Sequence, residues 1–195
     1  MNIGSNYTRT INKLYSTPRM SHGAVENTNS VVGLHQMIQE HFKPDFEMVE
    51  VGSFEGTSTL LFSLFVKKVY AVDCFDYKIP PGGRIPEMDK LFIRAEKQFD
   101  KRTARVPNIV KVRKTSIEAT RDFPDESLDA VYIDAEHDEE SIKSDLKVWK
   151  PKVKKGGFLS GHDFWLPHIQ KAVSEAVGEG KAIYMYSDSS WISQM

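Results

Sequence analysis

The sequence contains a single cysteine, no excess of charge of either sign, and no apolar run between Met1 and Met20. Cys74 alone cannot form an intramolecular disulfide, and a chain of 195 residues can bury enough surface to fold without covalent cross-links. A lone cysteine is typical of a reducing compartment, which predicts a cytoplasmic protein. The polar amino terminus predicts neither a signal peptide nor a membrane span.

Positive and negative charges are almost equal in number, with 26 Lys and Arg against 27 Asp and Glu. The total therefore gives no reason to expect a polyanionic partner, and nucleic acid is not an expected ligand. The distribution is less even, because the segment Lys90 to Lys114 has nine basic and two acidic residues, whereas Asp122 to Lys147 has ten acidic residues and two lysines. This pattern fits a solvated basic face beside an acidic one, or alternatively a basic rim for an anionic substrate.

Apolar runs of strand length alternate with segments of helical periodicity from about residue 30 onwards. Strands that are this apolar are buried on both faces, which predicts a mostly parallel α/β sheet covered by helices. The short turn 187–189 predicts that the last two strands are antiparallel. The predicted strands are 47–51, 68–73, 108–112, 128–133, 158–161, 182–186 and 190–195, and the predicted helices are 30–41, 57–65, 86–102, 116–121, 141–149 and 169–177.

The most informative segment is a glycine turn between the first predicted strand and the helix that follows it, with Gly52 and Gly56 four residues apart. This spacing differs from the G-x-G-x-x-G pattern of dinucleotide sites. Glu50 and Glu55 flank the turn and would repel a pyrophosphate, so the turn favours a cofactor that carries a cationic group. Asp73 ends the second predicted strand, where a carboxylate can accept hydrogen bonds from both ribose hydroxyls.

Four further motifs follow this turn along the chain, and together with it they are much more specific than any one alone. The five motifs are Glu50-x-Gly52-x-x-x-Gly56-x-Ser58, Tyr70-Ala71-Val72-Asp73, Ile133-Asp134-Ala135-Glu136-His137, Lys155-Gly156-Gly157 and Gly161-His162-Asp163. In these motifs the chain resembles the class I S-adenosylmethionine-dependent methyltransferases, and in particular the small sugar and macrolide O-methyltransferases. The resemblance covers about residues 30–195 and implies a Rossmann-like sheet of seven strands with helices on both faces and an antiparallel last pair.

The resemblance implies a set of residues that bind S-adenosylmethionine. Glu50 and Gly52 would lie near its methionine portion, Asp73 near the ribose hydroxyls, and Ser116 near the adenine. Phe75 can stack on the base or serve as an ordinary core aromatic. The complete predicted set is Glu50, Gly52, Ser53, Gly56, Ser58, Asp73, Cys74, Phe75, Ser116 and Asp134.

Asp134, His162 and Asp163 follow the fourth and fifth predicted strands, where related catechol and sugar methyltransferases hold a divalent cation. Here the fifth-strand pair is His-Asp rather than the Asp-Asp or Asp-Asn typical of those enzymes. An imidazole shifts preference from Mg²⁺ toward Mn²⁺, Fe²⁺ or Zn²⁺. The alternative is a hydrogen-bonded cluster without metal. His137, three residues after Asp134, is the predicted catalytic base, with Asp134 beside it.

These observations predict methyl transfer from S-adenosylmethionine to an oxygen of a small polar acceptor such as a sugar, with Mg²⁺ or Mn²⁺ as a possible second cofactor. One alternative is methylation of nucleic acid or another heteroatom, although no Asn/Asp-Pro-Pro-aromatic motif follows the fourth predicted strand. A second alternative is a cofactor-binding protein without catalysis. Residues 1–29 are predicted to form an amino-terminal arm or lid before a catalytic domain of 30–195, and such an arm would suit a homodimer.

Overall fold

The computed structural model describes residues 11–12, 19–21, 24–26, 31–79 and 81–195. Its strands are β1 Arg19–Ser21, β2 Ala24–Glu26, β3 Glu47–Val51, β4 Lys68–Val72, β5 Ile109–Val112, β6 Leu128–Ile133, β7 Val153–Gly161, β8 Tyr184–Met185 and β9 Trp191–Gln194. Its helices include α1 Val32–His41, α2 Thr57–Ser63, α3 Pro86–Thr103, α4 Ser116–Ala119, α5 Glu139–Trp149 and α6 Pro167–Val177. Short 3₁₀ turns at Thr120–Asp122 and Lys150–Lys152 follow α4 and α5.

Seven strands form one sheet in the order β5-β4-β3-β6-β7-β9-β8. The first five of these are parallel to one another, and β9 is antiparallel to both of its neighbours, β7 and β8. The predicted fold class is therefore confirmed, including the antiparallel last pair. A parallel return would need a crossover, so the short turn after β8 forces β9 to run back between β8 and β7.

Alternate residues of the central strands face two hydrophobic layers. Val49 and Val51 of β3 pack with residues of α5 and α6, such as the fully buried Trp149. Met48 of the same strand packs on the other side with residues of α1 and α2, such as Leu34. Burying each of these large side chains contributes roughly 1.5–3 kcal/mol, so both faces of the sheet must stay covered.

The boundaries of several elements depend on local capping and pairing. α5 begins at Glu139 because the Asp138 carboxylate accepts the Ser141 amide N–H at 3.0 Å. β7 begins at Val153 rather than at residue 158, and its register against β6 shifts between Leu128 and Ala130. β8 is shorter than the predicted 182–186, because only its two residues pair with β9.

The predicted arm or lid of residues 1–29 lies mostly outside the described residues. What is described there is an antiparallel pair of β1 and β2, and Ile11, which packs into the same layer as α1. Asp188, in the turn between β8 and β9, accepts the Leu34 amide N–H at 2.7 Å and so ties α1 to that turn. Within the described part of the chain, no helix combines the length and the apolar character needed to cross a bilayer.

Candidate active site

The strand order changes direction between β3 and β6, which are parallel neighbours at the centre of the sheet. The helix after β3 covers one face of the sheet, and the helix after β6 covers the other. A crevice therefore opens beyond the carboxyl ends of these two strands, where open α/β sheets bind their ligands. The glycine turn after β3 and the loop that begins at Asp134 meet at this point.

Gly52 lies directly against the backbone of Asp134. Its φ of +91° is in the left-handed region, and a Cβ built there would lie 2.1 Å from the Asp134 carbonyl oxygen. The Gly52 N–H donates to the Val72 carbonyl at 2.9 Å, and the Asp134 N–H donates to the Val51 carbonyl at 2.8 Å. Only glycine fits this position.

Two further residues of the turn also have a positive φ, which is +42° at Phe54 and +77° at Gly56. The Gly56 N–H closes the turn on the Ser53 carbonyl at 2.7 Å, and a Cβ at Gly56 would lie 2.9 Å from the Phe99 ring. The side chains of Ser53 and Ser58 are buried. Contacts of these two positions with a cofactor would therefore come from their backbone.

Asp73 holds the glycine turn in place. Its carboxylate accepts the Phe54 amide N–H at 2.8 Å and the Phe75 amide N–H at 2.6 Å. Burial raises the pKa of Asp73 above its ordinary value, although these backbone donors oppose the shift. Each carboxylate oxygen has a second lone pair, so this geometry is compatible with ribose hydroxyls as further donors.

The two glutamates of the turn have different partners. Glu50 is fully buried and accepts a hydrogen bond from the Thr59 hydroxyl. Glu55 instead pairs with Arg102 of α3, the guanidinium of which lies 3.1 Å from its carboxylate and donates to its carbonyl and to the Thr57 hydroxyl, both at 2.8 Å. Because Arg102 compensates the charge of Glu55, the preference for a cationic cofactor depends on Glu50 and no longer on the two glutamates together. Sequence reasoning missed Arg102, which is 47 residues away.

The predicted adenine side is built on a buried carboxylate. The Ser116 hydroxyl donates to Asp145 of α5 and accepts the indole N–H of Trp149 at 2.8 Å, so it is already bonded within the protein. Asp145 is only 5% exposed, and burial raises its pKa to about 6. A sequence signal for Asp145 existed, because it interrupts the apolar face of α5 three residues after Ile142 and four before Trp149.

The two residues after Asp73 are also placed. Phe75 is buried, its ring centroid 5.6 Å from that of Phe99 and 4.8 Å from the Lys111 ammonium. This packing matches the core-aromatic alternative. Cys74 is half-buried, and burial raises the pKa of its thiol, which disfavours a thiolate nucleophile.

The three predicted metal ligands converge although β6 and β7 are separate in sequence. One potential ligand atom each from Asp134, His162 and Asp163 lies within 4.8 Å of the other two. The His162 Nδ1 atom is 3.2 Å from Asp163 Oδ1 and 4.0 Å from Asp134 Oδ1. His137 joins the group, with its Nε2 atom 3.0 Å from Asp163 Oδ2 and 3.8 Å from Asp134 Oδ1.

The residues Asp134, His137, His162 and Asp163, which we name the Asp/His cluster, interact strongly through their charges. The carboxylates of Asp134 and Asp163 raise the pKa of His137 to about 10. Burial opposes ionisation of Asp163, but hydrogen bonds with His137 and His162 outweigh it and hold the pKa of that carboxyl well below its usual range. His137 therefore carries a proton at neutral pH in this arrangement, and it can act as a base only after losing it.

The loop after β6 and the segment after β7 form adjoining walls of the crevice. The His168 Nε2 atom is 2.7 Å from the His137 carbonyl oxygen, which ties the start of α6 to the loop. On the same segment, the Trp165 indole N–H donates to Asp163 Oδ1 at 3.2 Å. Lys78, in the loop after β4, lies 3.6 Å from Asp138.

A surface cavity of about 380 Å³ lies at the opposite end of the sheet, lined by Gln39, Phe42, Pro44, Leu64, Phe65 and Val66. These residues precede β3 and β4 or belong to the neighbouring helices, and they bring no ionisable group into the cavity. The position and chemistry of this cavity therefore do not suit a cofactor or a reaction, whereas the crevice at the carboxyl ends does.

Replacing Gly52 by Ala should unfold or severely destabilise the protein, because the new Cβ would meet the Asp134 carbonyl oxygen at a left-handed φ. We expect a loss of more than about 3 kcal/mol in urea unfolding. Gly178→Ala is the matched control, because Gly178 has the same φ of +91° and open space around it. The control carries only backbone strain and should lose on the order of 1–3 kcal/mol, and equal losses in both variants would contradict the close approach.

Replacing Asp145 by Asn should change how stability depends on pH. The pKa of Asp145 rises from 3.8 to about 6 on folding, so this group's stability contribution is complete below 3.8 and is lost as the pH rises through 6. The amide cannot ionise but still offers an oxygen to Ser116. Urea unfolding should therefore find the variant more stable at about pH 8, by on the order of 1–3 kcal/mol, with little difference at about pH 4. If the free energies of unfolding of the two proteins changed in parallel with pH, the raised pKa of Asp145 would be contradicted. Asp125→Asn, which removes an exposed carboxylate, controls for the loss of a negative charge.

Comparison with known proteins agrees with this geometry. The family model described as a methyltransferase domain matches residues 49–164, which is more than half of the chain. No curated protein matches the sequence. The matched segment runs from within β3 through the glycine turn, Asp73 and Asp134 to the residue after Asp163, and so contains all of these site residues.

Solved structures with the same architecture share little sequence with the chain. A precorrin-6y C5,15-methyltransferase from Geobacter metallireducens is 14% identical with a TM-score of 0.58, covering 91% of this chain and 92% of that one. SMU.1697c from Streptococcus mutans, solved with S-adenosylhomocysteine, is 13% identical with a TM-score of 0.57, covering 83% and 96%. Aeropyrum pernix fibrillarin, solved with natively bound S-adenosylmethionine, is 11% identical with a TM-score of 0.54, covering 83% and 72%.

At such identities these structures establish the fold, and the family model establishes the family. The sheet order, the left-handed glycine turn and the carboxylate after β4 agree with both. The chain belongs to the class I S-adenosylmethionine-dependent methyltransferases.

Proposed function

We propose that the protein transfers a methyl group from S-adenosylmethionine to a hydroxyl oxygen of a small polar acceptor, such as a sugar. The observation that carries this proposal is the backbone contact between Gly52 and Asp134. It brings the turn predicted to hold the cofactor next to a cluster of carboxylates and imidazoles that can bind and deprotonate a hydroxyl group. Neither half alone would indicate transfer to oxygen.

The cofactor side suits a sulfonium compound. Buried Glu50 supplies negative charge beside the turn, which favours the cationic methionine portion over a pyrophosphate. Asp73 faces the same turn and offers acceptor lone pairs for ribose hydroxyls. The bound S-adenosylhomocysteine and S-adenosylmethionine of SMU.1697c and fibrillarin support the same ligand in this fold.

Methyl transfer requires little covalent help from the protein, because the sulfonium is already activated. Most of the rate enhancement comes from holding the acceptor oxygen, the methyl carbon and the sulfur in line and away from water. The carbon–oxygen bond forms as the carbon–sulfur bond breaks, which leaves S-adenosylhomocysteine. The acceptor's proton goes to Nε2 of His137 in its neutral form, with Asp163 and Asp134 stabilising the resulting imidazolium.

The convergence of Asp134, His162 and Asp163 also fits a divalent cation. Two carboxylates and one imidazole are a donor set that accepts Mg²⁺ or Mn²⁺, and the imidazole favours Mn²⁺. When bound, such a cation would lower the pKa of the acceptor hydroxyl and orient it. Asp134 and Asp163, once engaged as ligands, would no longer favour the protonated form of His137. The alternative remains a hydrogen-bonded cluster that positions the acceptor without metal.

The basic segment offers less support for a nucleic-acid acceptor than its composition suggests. Several of its cations are already paired with acidic side chains. Lys111 lies 2.9 Å from Glu96 and Arg113 lies 2.8 Å from the same carboxylate. Lys114 pairs with Asp122, and Arg102 holds the glycine turn. These pairs reduce the positive potential that a phosphate backbone would meet.

Calorimetry with S-adenosylmethionine and with NAD tests the cofactor. We expect binding of the first only, and Asp73→Asn should weaken it about ten-fold or more, because one charge-assisted acceptor is lost. The amide keeps one oxygen acceptor, but one of the Phe54 and Phe75 amide N–H groups loses its acceptor, so urea unfolding of the variant must first show that it is folded. Asp76→Asn, at an exposed carboxylate three residues further on, is the control and should bind normally. Binding of NAD without any response to S-adenosylmethionine would refute the proposed function.

Titration of Mg²⁺ and Mn²⁺ into the protein tests the metal alternative. We expect Mn²⁺ to bind in the millimolar range or tighter, and His162→Ala to weaken it without changing affinity for S-adenosylmethionine. Glu175→Gln, at an exposed carboxylate on α6, should leave Mn²⁺ binding unchanged. Absence of binding by either cation would select the metal-free cluster.

The base is tested by His137→Gln, which should lower methyl transfer about 10²- to 10⁴-fold at unchanged cofactor affinity. The measurement is transfer of labelled methyl groups from S-adenosylmethionine to a panel of pyranosides. Full activity of the variant would exclude His137 as the base.

A further inference from the structure

Trp165 is the most exposed of the large apolar side chains that the structure describes. Its exposed fraction is 64%, whereas Trp149 and Trp191 are completely buried. Single exposed apolar residues are common and need no explanation by themselves. Trp165 differs because its indole N–H donates a hydrogen bond to Asp163, a member of the Asp/His cluster, at 3.2 Å.

The segment that carries Trp165 is held at both ends. The Phe164 amide N–H donates to the Ser189 carbonyl at 3.1 Å, and the Leu166 amide N–H donates to the Asp163 carbonyl at 2.9 Å. α6 begins immediately afterwards at Pro167. The indole is therefore presented on a fixed backbone with its polar edge already satisfied, and a ligand that packs on its face would order few additional groups.

The neighbouring wall of the crevice is acidic. Glu136 and Asp138 are exposed in the loop after β6, and Glu139 and Glu140 follow in the first turn of α5. Lys78 and Lys143 pair with two of these four carboxylates. The bond between His168 and the His137 carbonyl keeps this loop beside the segment of Trp165. The wall would repel a phosphate and offers many acceptors to hydroxyl or ammonium donors.

We propose that Trp165 is the acceptor platform, on which the apolar face of a pyranose ring packs while its hydroxyls point to the acidic wall. The acceptor is then a neutral or amino sugar rather than a phosphorylated one. This inference rests on the proposed function and narrows its substrate class. A flat phenolic acceptor would also pack on the indole, but it would leave most of the acidic wall without donors.

Acrylamide quenching of tryptophan fluorescence tests the platform directly, because Trp149 and Trp191 are buried and the quenchable emission comes from Trp165. The protein is loaded with S-adenosylhomocysteine and titrated with methyl pyranosides of differing configuration, their amino derivatives, their 6-phosphates, and catechol. We expect at least one neutral or amino pyranoside to protect Trp165 and its 6-phosphate not to. Protection by no pyranoside, by catechol alone, or equally by the phosphates would overturn the inference.

Substitution then separates this inference from the proposed function. For the pyranoside that protects best, Trp165→Ala should raise KM about ten-fold, which corresponds to about 1.4 kcal/mol, and Trp165→Phe should raise it less. Affinity for S-adenosylmethionine should not change in either variant. Ile93→Ala, which removes a similarly exposed side chain from α3, is the control. An unchanged KM in Trp165→Ala, with normal binding of S-adenosylmethionine, would refute the platform but not the proposed function. If the wild-type protein does not bind S-adenosylmethionine, the proposed function itself is refuted.

Discussion

The backbone of Gly52 rests on the carbonyl group of Asp134, and this contact constrains everything else in the crevice. β3 and β6 are parallel neighbours, so the residues that leave their carboxyl ends compete for the same space. A side chain at position 52 would separate them. Because glycine allows the approach, the turn predicted to hold the cofactor and the loop that begins the Asp/His cluster are fixed relative to each other by the sheet itself.

The charges around this contact are mostly compensated by other groups of the protein rather than by solvent. Glu55 is paired with Arg102, and Asp163 is paired with two imidazoles. Asp73 accepts hydrogen bonds from two backbone amides. A half-buried carboxylate without such partners would tend to protonate or to disrupt the fold. The same pairing keeps the imidazole of His137 charged, so its reactivity depends on what else occupies the crevice.

The sequence predicted elements best where the apolar pattern is unambiguous. The strands Glu47–Val51 and Leu128–Ile133 were predicted to the residue, because both are apolar runs bounded by turns. The convergence of Asp134, His162 and Asp163 also followed from their positions at strand ends. The sequence did not predict which side chains form pairs, because the packing of separate elements against one another decides this.

The partners of the predicted site residues lie far away in sequence. Arg102 reaches the glycine turn from α3, and Asp145 reaches Ser116 from α5. No local pattern specifies where a long side chain of one helix ends on another element. The protonation of His137 likewise depends on two carboxylates that follow different strands. One of them, Asp163, is 26 residues away in the sequence, so the local sequence around His137 does not reveal its effect.

The two sides of the crevice belong to different halves of the sheet. The glycine turn and Asp73 follow β3 and β4, whereas Trp165 lies beyond β7, on a segment anchored by Ser189 and by Asp163. Both of these anchors lie outside the glycine turn and away from Asp73 in the chain. On the proposed role of Trp165, mutations near it can exchange one acceptor for another while selection preserves the glycine turn and Asp73, and a protein engineer can vary the same few positions.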